Sequence, residues 1–186
     1  ERFYLSTLRQ HQFITSTGMN YKFNENLSLT GALLYFELTL PQDPDALSIE
    51  RSRELRPFLA IRFRHHINSK LSFLSRFKPE SRYRQRSSNA FTFRNIRLRM
   101  RTGFVYKLTP RLKTVLKEEI LINLRSDEIR TVFDQNRLTA GINYEISDRL
   151  AFEAGYLNRF QQRTNSQIFV NKDIAYFTVF HNLKLY

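Results

Sequence analysis

The feature that most constrains this chain is a two-residue alternation of apolar and polar side chains. Between Ile96 and Leu108 the even-numbered residues are mostly apolar, whereas Arg97, Arg99 and Arg101 occupy alternate odd positions. Successive side chains of a β-strand point to opposite faces, so this order gives one apolar face and one basic face. On a helix the same residues would scatter around the axis and form no continuous stripe. The alternation therefore predicts an all-β fold.

The alternation recurs along the chain, and no convincing amphipathic helix lies between its segments. Tight polar connections, which are typical of hairpin turns, alternate with longer polar stretches. The predicted strands cover residues 11–23, 27–40, 56–67, 71–84, 91–108, 112–124, 134–146, 149–161 and 172–186. The predicted turns are 24–26, 68–70, 109–111 and 147–148, and the longer polar stretches are 41–55, 79–90, 125–133 and 162–171.

This alternation of connections places all short turns at one end of an up-and-down meander. Outer-membrane β-barrels have that layout, with short periplasmic turns and long external loops. The predicted strands are longer than the ~5–6 residues of an average strand, and a tilted membrane strand needs ~9–11 residues. We therefore predict one domain over residues 1–186, an up-and-down antiparallel transmembrane β-barrel of about 10–12 strands.

The same alternation bears on the N-terminal end of the barrel. The last predicted strand ends on the short-turn side, so counting back places the start of strand 11–23 on the long-loop side. Residues 1–9 would then form only the upper end of a preceding strand. Because bacterial single-chain barrels have even strand numbers, we expect that N-terminal strand residues are lacking.

Composition alone suggests other classes of protein. Lys and Arg total 30 against 17 Asp and Glu, which gives a net charge of +13, and the mean hydropathy is −0.46. The charge is typical of nucleic-acid binding and the hydropathy of soluble proteins. A nucleic-acid platform would mix Arg and aromatic side chains on one face, but here they segregate to opposite faces. A soluble basic all-β nucleic-acid-binding or lipocalin-like binding protein is the alternative.

Aromatic residues favour the membrane over the soluble alternative. Aromatic side chains near strand ends are typical of the interface girdles of membrane barrels, and the last strand ends on Tyr186. We expect a bacterial outer-membrane location, with outer-membrane lipid and lipopolysaccharide as partners, other outer-membrane proteins as further partners, and no nucleic acid. The girdle candidates are Tyr21, Phe23, Phe104, Tyr106, Tyr144, Phe152, Tyr156 and Phe160.

Two hairpins and one strand carry a resemblance to a known family. The segment Asn136–Phe160 has a strand–turn–strand form, and Gly18–Leu29 repeats that form. With Glu118–Leu124 and His181, they make the chain resemble a Gram-negative outer-membrane β-barrel family of unknown function, domain of unknown function 2490. The resemblance covers most of the chain, which starts inside the second strand of the family pattern. It implies a barrel of about this size and supplies no catalytic residues.

The polar faces of the strands supply the candidate functional residues. In a membrane barrel these faces line the lumen, where their charges form either a structural plug of Arg–Glu pairs or an anion path or ligand site. A basic external loop is either solvated or contacts lipid A phosphates or an acidic partner. The lumen-lining basic candidates are Arg62, Arg64, Arg76, Lys78, Arg97, Arg99, Arg101, Lys107, Lys113, Lys117, Arg137 and Arg159. The lumen acidic candidates are Glu119, Glu145 and Glu153, and the external loop candidates are Arg82, Arg84 and Arg86.

Motifs of catalysis and cofactor binding are not evident. The absence of Cys excludes a thiolate metal site and a Cys nucleophile. The adjacent His65 and His66 point to opposite faces of a strand, so they do not share a metal ion. We expect no enzyme activity, no cofactor and no metal site. The predicted function is a narrow, porin-like, anion-preferring channel or a barrel subunit of a larger outer-membrane complex.

Overall fold

Ten antiparallel strands form one sheet in which each strand pairs with its neighbours in sequence. The computed structural model describes residues 2–3, 10–40, 47–85, 90–124, 126 and 128–181. The first strand has 2 residues and the others have 12 to 17. The strands are β1 (Arg2–Phe3), β2 (Gln10–Lys22), β3 (Leu27–Leu40), β4 (Glu50–His66), β5 (Leu71–Gln85), β6 (Phe91–Lys107), β7 (Leu112–Asn123), β8 (Phe133–Glu145), β9 (Leu150–Gln162) and β10 (Phe169–His181).

The sheet is an up-and-down meander that curls into a half-barrel. Within the described residues, β1 and β10 are its two edges. The predicted all-β, up-and-down antiparallel architecture is therefore confirmed. The largest difference is in β4, which begins at Glu50 and so includes residues that the sequence assigned to a loop. The predicted end of the last strand, residues 182–186, lies outside the described residues.

All four predicted hairpin turns are confirmed, and they share one hydrogen-bonding arrangement. The first polar side chain of each turn, from Asn24, Asn68, Thr109 or Ser147, accepts hydrogen bonds from the backbone N–H groups two and three residues later. The donor–acceptor distances are 2.8–3.3 Å. Asn, Ser and Thr are favoured in turns because their short side chains satisfy nearby backbone donors in this way. The short-turn end of the sheet is thus encoded by local sequence.

Burial is inverted relative to that of a soluble barrel. Among the described residues, thirteen polar or charged side chains are buried, against four apolar ones. On the opposite face large apolar side chains are open to solvent, including Met19 at 85% and Phe177 at 65% exposure. Ion pairs that skip a strand, such as Arg76 of β5 with Glu119 of β7, join side chains on the concave face. The charged face is therefore the inner face. No helix among the described residues has the length and hydropathy to cross a membrane.

Glycine makes room on the crowded inner face of the last three strands. Gly141 of β8 lies opposite Gly155 of β9, which lies opposite Tyr176 of β10. A Cβ atom at Gly141 would lie 2.5 Å from the Tyr176 hydroxyl, and one at Gly155 would lie 2.9 Å from it. That hydroxyl donates a 2.9 Å hydrogen bond to Glu153. The two glycines therefore allow the Tyr176 ring to lie across the sheet.

Candidate functional site

The inner face near the long-loop end is organised around the buried carboxylate of Glu54. Arg82 donates to both of its oxygens at 2.8–3.0 Å, and Arg56 and Arg94 each donate to it at 2.9 Å. We call these four residues the Glu54 cluster. Burial alone would raise the pKa of Glu54, but the charges of Arg82, Arg56 and Arg94 outweigh burial and lower the pKa to about 2. The carboxylate is therefore ionised at neutral pH and compensates its cations.

A second buried carboxylate, Glu80, lies next along the inner face. It is 1% exposed, and the Arg97 guanidinium donates to its Oε1 from Nε at 2.7 Å. Arg97 also donates to Asp134 at 3.0 Å, while Lys78 lies 3.3 Å and Arg99 lies 3.5 Å from Glu80 Oε2. Each cation here has an acidic partner, as burial of a charge requires.

The third acidic centre is Glu119 of β7. Arg99 lies 2.8 Å, Arg101 3.3 Å and Arg137 3.7 Å from its oxygens, and Arg76 also forms an ion pair with it. Glu119 itself is 3% exposed. One carboxylate therefore compensates several guanidinium groups, and the positive charge around it exceeds the negative charge.

Strand register explains why so many cations meet at Glu119. Directly opposed residues of neighbouring strands put like charges side by side on the inner face, an arrangement that normally destabilises a sheet. The row includes six of the residues that the sequence assigns to the lumen. From β4 to β10 it consists of Arg62, Arg76, Arg101, Glu119, Arg137, Arg159 and Lys172.

The short-turn end of the inner face is less well compensated. Lys113 pairs with Glu145, and Lys117 lies 4.0 Å from Glu153. Arg62 donates to the hydroxyl of Thr30. In the part of the chain that the structure describes, no carboxylate lies within 4.0 Å of the side-chain nitrogens of Arg62, Arg64 or Lys107, and all three are exposed.

A cavity of about 830 Å³ opens at this end of the inner face. We call it the basic cavity, because Glu25 of the first turn is the one acidic residue among the described residues that line it. The basic residues that line it are Lys22, Arg62, Arg64, Arg76, Arg101 and Lys117. Among the described residues, no group of three or more His, Asp or Glu side chains is arranged to hold a metal ion.

The predicted external basic loop requires correction. Arg82 and Arg84 lie within β5, which continues past Pro79 to Gln85. Arg82 is buried on the inner face because Glu54 compensates its charge, and Arg84 is half-buried. Arg86 lies outside the described residues.

The acids Glu54, Glu80 and Asp134 were missed as members of the inner face. Glu80 carried a readable signal, since it follows Arg76 and Lys78 in the same two-residue phase and precedes Arg82. Glu54 fell outside the predicted strand. Asp134 reaches Arg97 next to a register shift between β7 and β8, and a bulge of that kind is not encoded by alternation.

Comparisons with known proteins agree with this architecture. The solved structure of the NanC porin has a similar fold, with a TM-score of 0.51 over 93% of this chain and 94% of that chain, at 8% sequence identity. Comparison with curated proteins finds no significant match. The family model described as "Protein of unknown function (DUF2490)" matches residues 1–169. The chain therefore belongs to the DUF2490 family, in agreement with the resemblance of its hairpins.

Proposed function

We propose that this protein is an outer-membrane β-barrel whose inner face forms a narrow, anion-preferring channel. The inverted burial carries the membrane part of the proposal. A soluble protein rarely exposes a continuous apolar face of this size, whereas a membrane barrel presents such a face to lipid and keeps charge inside. The fold shared with the NanC porin supports the same location.

The outer apolar band lies next to the short turns. On β4 it includes Phe63, Ile61 and Leu59, which are 43–54% exposed and follow one another above the short turn. Ten residues of a tilted strand span the ~25 Å apolar zone of an outer-membrane barrel. Glu54 lies beyond this band, on the part of β4 that extends above the membrane. Folded protein that stays soluble without detergent would contradict the membrane location.

The excess of positive charge on the inner face carries the anion preference. Around Glu119 and in the basic cavity, cations outnumber the carboxylates that compensate them. Rings of Arg and Lys attract anions into a pore and raise the barrier to cations. The paired clusters around Glu54 and Glu80 narrow the path, because small barrels fill much of their interior with side chains.

Reversal potentials in planar bilayers test the channel. Under a KCl gradient the wild-type protein should conduct with a preference for chloride. The double substitution of Arg62→Glu and Arg64→Glu should abolish or invert that preference, because it puts carboxylates in place of two cations that have no acidic partner among the described residues. Arg51→Glu is the matched control, since Arg51 pairs with Glu37 outside the cavity at the long-loop end. Absence of conductance, or cation preference in the wild type, would contradict the channel.

A polar patch on the outer face favours a second candidate, a barrel subunit of a larger complex. Glu118 of β7 is exposed on the outer face and accepts a 2.9 Å hydrogen bond from Asn136 of β8. A charged side chain that faces lipid is costly, and contact with another membrane protein would remove that cost.

Native extraction followed by mass spectrometry tests the subunit role. A partner that copurifies with the wild type should be lost from Glu118→Leu and retained by Thr114→Leu, which changes another outward residue of the same strand. A lone monomer in both variants and in the wild type would count against this role.

A further inference from the structure

The basic cavity contains an arrangement that the proposed channel does not by itself require. Register places Arg62 opposite Arg76, and Arg76 opposite Arg101, so three guanidinium groups arise from neighbouring strands in one row. Opposed residues on one face have Cβ atoms about 4.5–5.5 Å apart, and like charges at that distance repel. Arg76 and Arg101 share Glu119, whereas among the described residues Arg62 contacts the Thr30 hydroxyl and no carboxylate. In the part of the chain that the structure describes, the charge of Arg62 thus has no carboxylate partner.

Arg64 extends this excess along the strand. It lies two residues from Arg62 on the same face of β4, which places the two Cα atoms about 7 Å apart along the strand. It is exposed, and within the described ranges no carboxylate lies in ion-pair distance of it. The strand positions of Arg62, Arg64 and Arg76 therefore form a triangle on one face, with sides of about 5–8 Å between backbone or Cβ positions.

We propose that the basic cavity binds a small organic polyanion, a molecule with two or more carboxylate or phosphate groups. Arginine forks match carboxylate and phosphate oxygens bidentately. The cavity volume of about 830 Å³ lies in the ~300–1,000 Å³ range of small-molecule sites. A chloride ion compensates one charge, whereas a polyanion compensates Arg62 and Arg64 in a single binding event, next to Arg76.

The inference rests on the proposed channel, because the cavity lies on the inner face along which the channel would carry anions. It adds a site and a ligand class to that function. The site is built from Arg62, Arg64 and Arg76, and the channel requires only an excess of positive charge. A site that favours polyanions should retain them long enough to saturate, while chloride passes.

Isothermal titration calorimetry on the full chain in detergent tests the site, with citrate as the polyanion and acetate as the monoanion at equal ionic strength. Citrate should bind saturably with one site per chain and at least 10-fold more tightly than acetate. Arg62→Gln and Arg64→Gln should each weaken citrate binding at least 10-fold. Arg111→Gln is the control, because Arg111 lies in a turn at the same end but does not line the cavity. Equal circular dichroism spectra and urea midpoints exclude misfolding as the cause.

Two results would overturn the site: citrate that fails to saturate in the wild type, or citrate affinity that Arg62→Gln and Arg64→Gln leave unchanged. Bilayer recording separates this failure from failure of the channel. Anion-selective conductance without citrate binding removes the site and leaves the channel. Saturable citrate binding that depends on both arginines, without conductance, removes the channel and leaves the site.

Discussion

The two ends of the inner face use arginine in different ways. Toward the long loops, Arg56, Arg82 and Arg94 all donate to the buried Glu54. At the short-turn end, Arg62 and Arg64 are exposed, and the described residues offer them no carboxylate partner. Both ends belong to the same strands β4 to β6, so neither fold nor residue type explains the difference. It is the placement of acidic residues that assigns arginine to structure at one end and leaves it available to anions at the other.

This difference reconciles two interpretations of the inner charge. A plug of Arg–Glu pairs describes the clusters around Glu54 and Glu80, where each buried cation has an acidic partner. An anion site describes the basic cavity, where Arg62 and Arg64 have no carboxylate partner among the described residues. Glu119 lies between these regions and forms ion pairs with four arginines. The comparison therefore predicts that substitution of a buried acidic residue lowers the free energy of unfolding most, and that substitution of Arg62 or Arg64 lowers it least.

The largest effect is expected at Glu119. Glu119→Gln should lower the free energy of unfolding by about 3–5 kcal/mol, because loss of one partner leaves buried charges uncompensated. Glu145→Gln removes the carboxylate of a more exposed pair with Lys113 and should cost at most about 1 kcal/mol. Urea titration in lipid vesicles, followed by circular dichroism, measures both. Equal losses in the two variants would mean that the buried clusters and the short-turn end depend equally on their acidic residues.

The next effect is the pH dependence that Glu54 contributes. Its pKa is about 2 in the folded protein against 4.5 for the free group, so its stabilisation is present above pH 4.5 and is lost as the pH falls toward 2. The full contribution is about 3 kcal/mol, from the 1.36 kcal/mol of each pKa unit. Urea midpoints between pH 6 and pH 2.5 should therefore fall less steeply in Glu54→Gln than in the wild type. Glu50→Gln, an exposed position of the same strand, should keep the wild-type slope.

A smaller effect tests whether crowding of the inner face extends beyond its charges. A Cβ atom at Gly155 would lie 2.3 Å from the Ala140 carbonyl oxygen, whereas one at Gly31 on the outer face would meet Leu59 at 3.5 Å. Gly155→Ala should therefore cost about 1–3 kcal/mol through overpacking, and Gly31→Ala should stay within about 0.5 kcal/mol. The same urea titration compares them. A loss at Gly31→Ala as large as that at Gly155→Ala would mean that the inner face is no tighter than the outer one.

Alternation and turn chemistry made most of the fold predictable. The strand faces follow from the two-residue period, and the four turns follow from Asn24, Asn68, Thr109 and Ser147. The start of β4, beyond the apolar band, was harder, because residues 50–55 carry charged side chains on both faces. Such segments have the composition of loops, and only pairing with a neighbouring strand reveals them as strands.

The site was predictable as a face but not as a set of partners. Parity placed Arg62, Arg76 and Arg101 on the polar face, yet their position in a single row depends on the register of three strands. Register is set by turn geometry and by packing across the sheet, and neither is visible in one strand at a time. For the same reason, the sequence does not predict that Arg82 and Arg94 both contact Glu54, which lies 28 and 40 residues from them in sequence.

The smallest expected change in stability is at the cavity arginines, and it distinguishes the two ends of the inner face most directly. Arg64→Gln removes an exposed cation without a carboxylate partner among the described residues, so the free energy of unfolding should change by less than about 0.5 kcal/mol. Arg82→Gln, at the other end of the same face, breaks a buried bidentate pair and should cost about 3 kcal/mol. Paired urea titrations measure both. If Arg64→Gln destabilised the barrel as much as Arg82→Gln, then Arg64 would have a structural partner and the basic cavity would be part of the plug. If it leaves stability unchanged, Arg64 is not part of the plug, because a side chain that contributes nothing to folding stays available to an anion in the cavity.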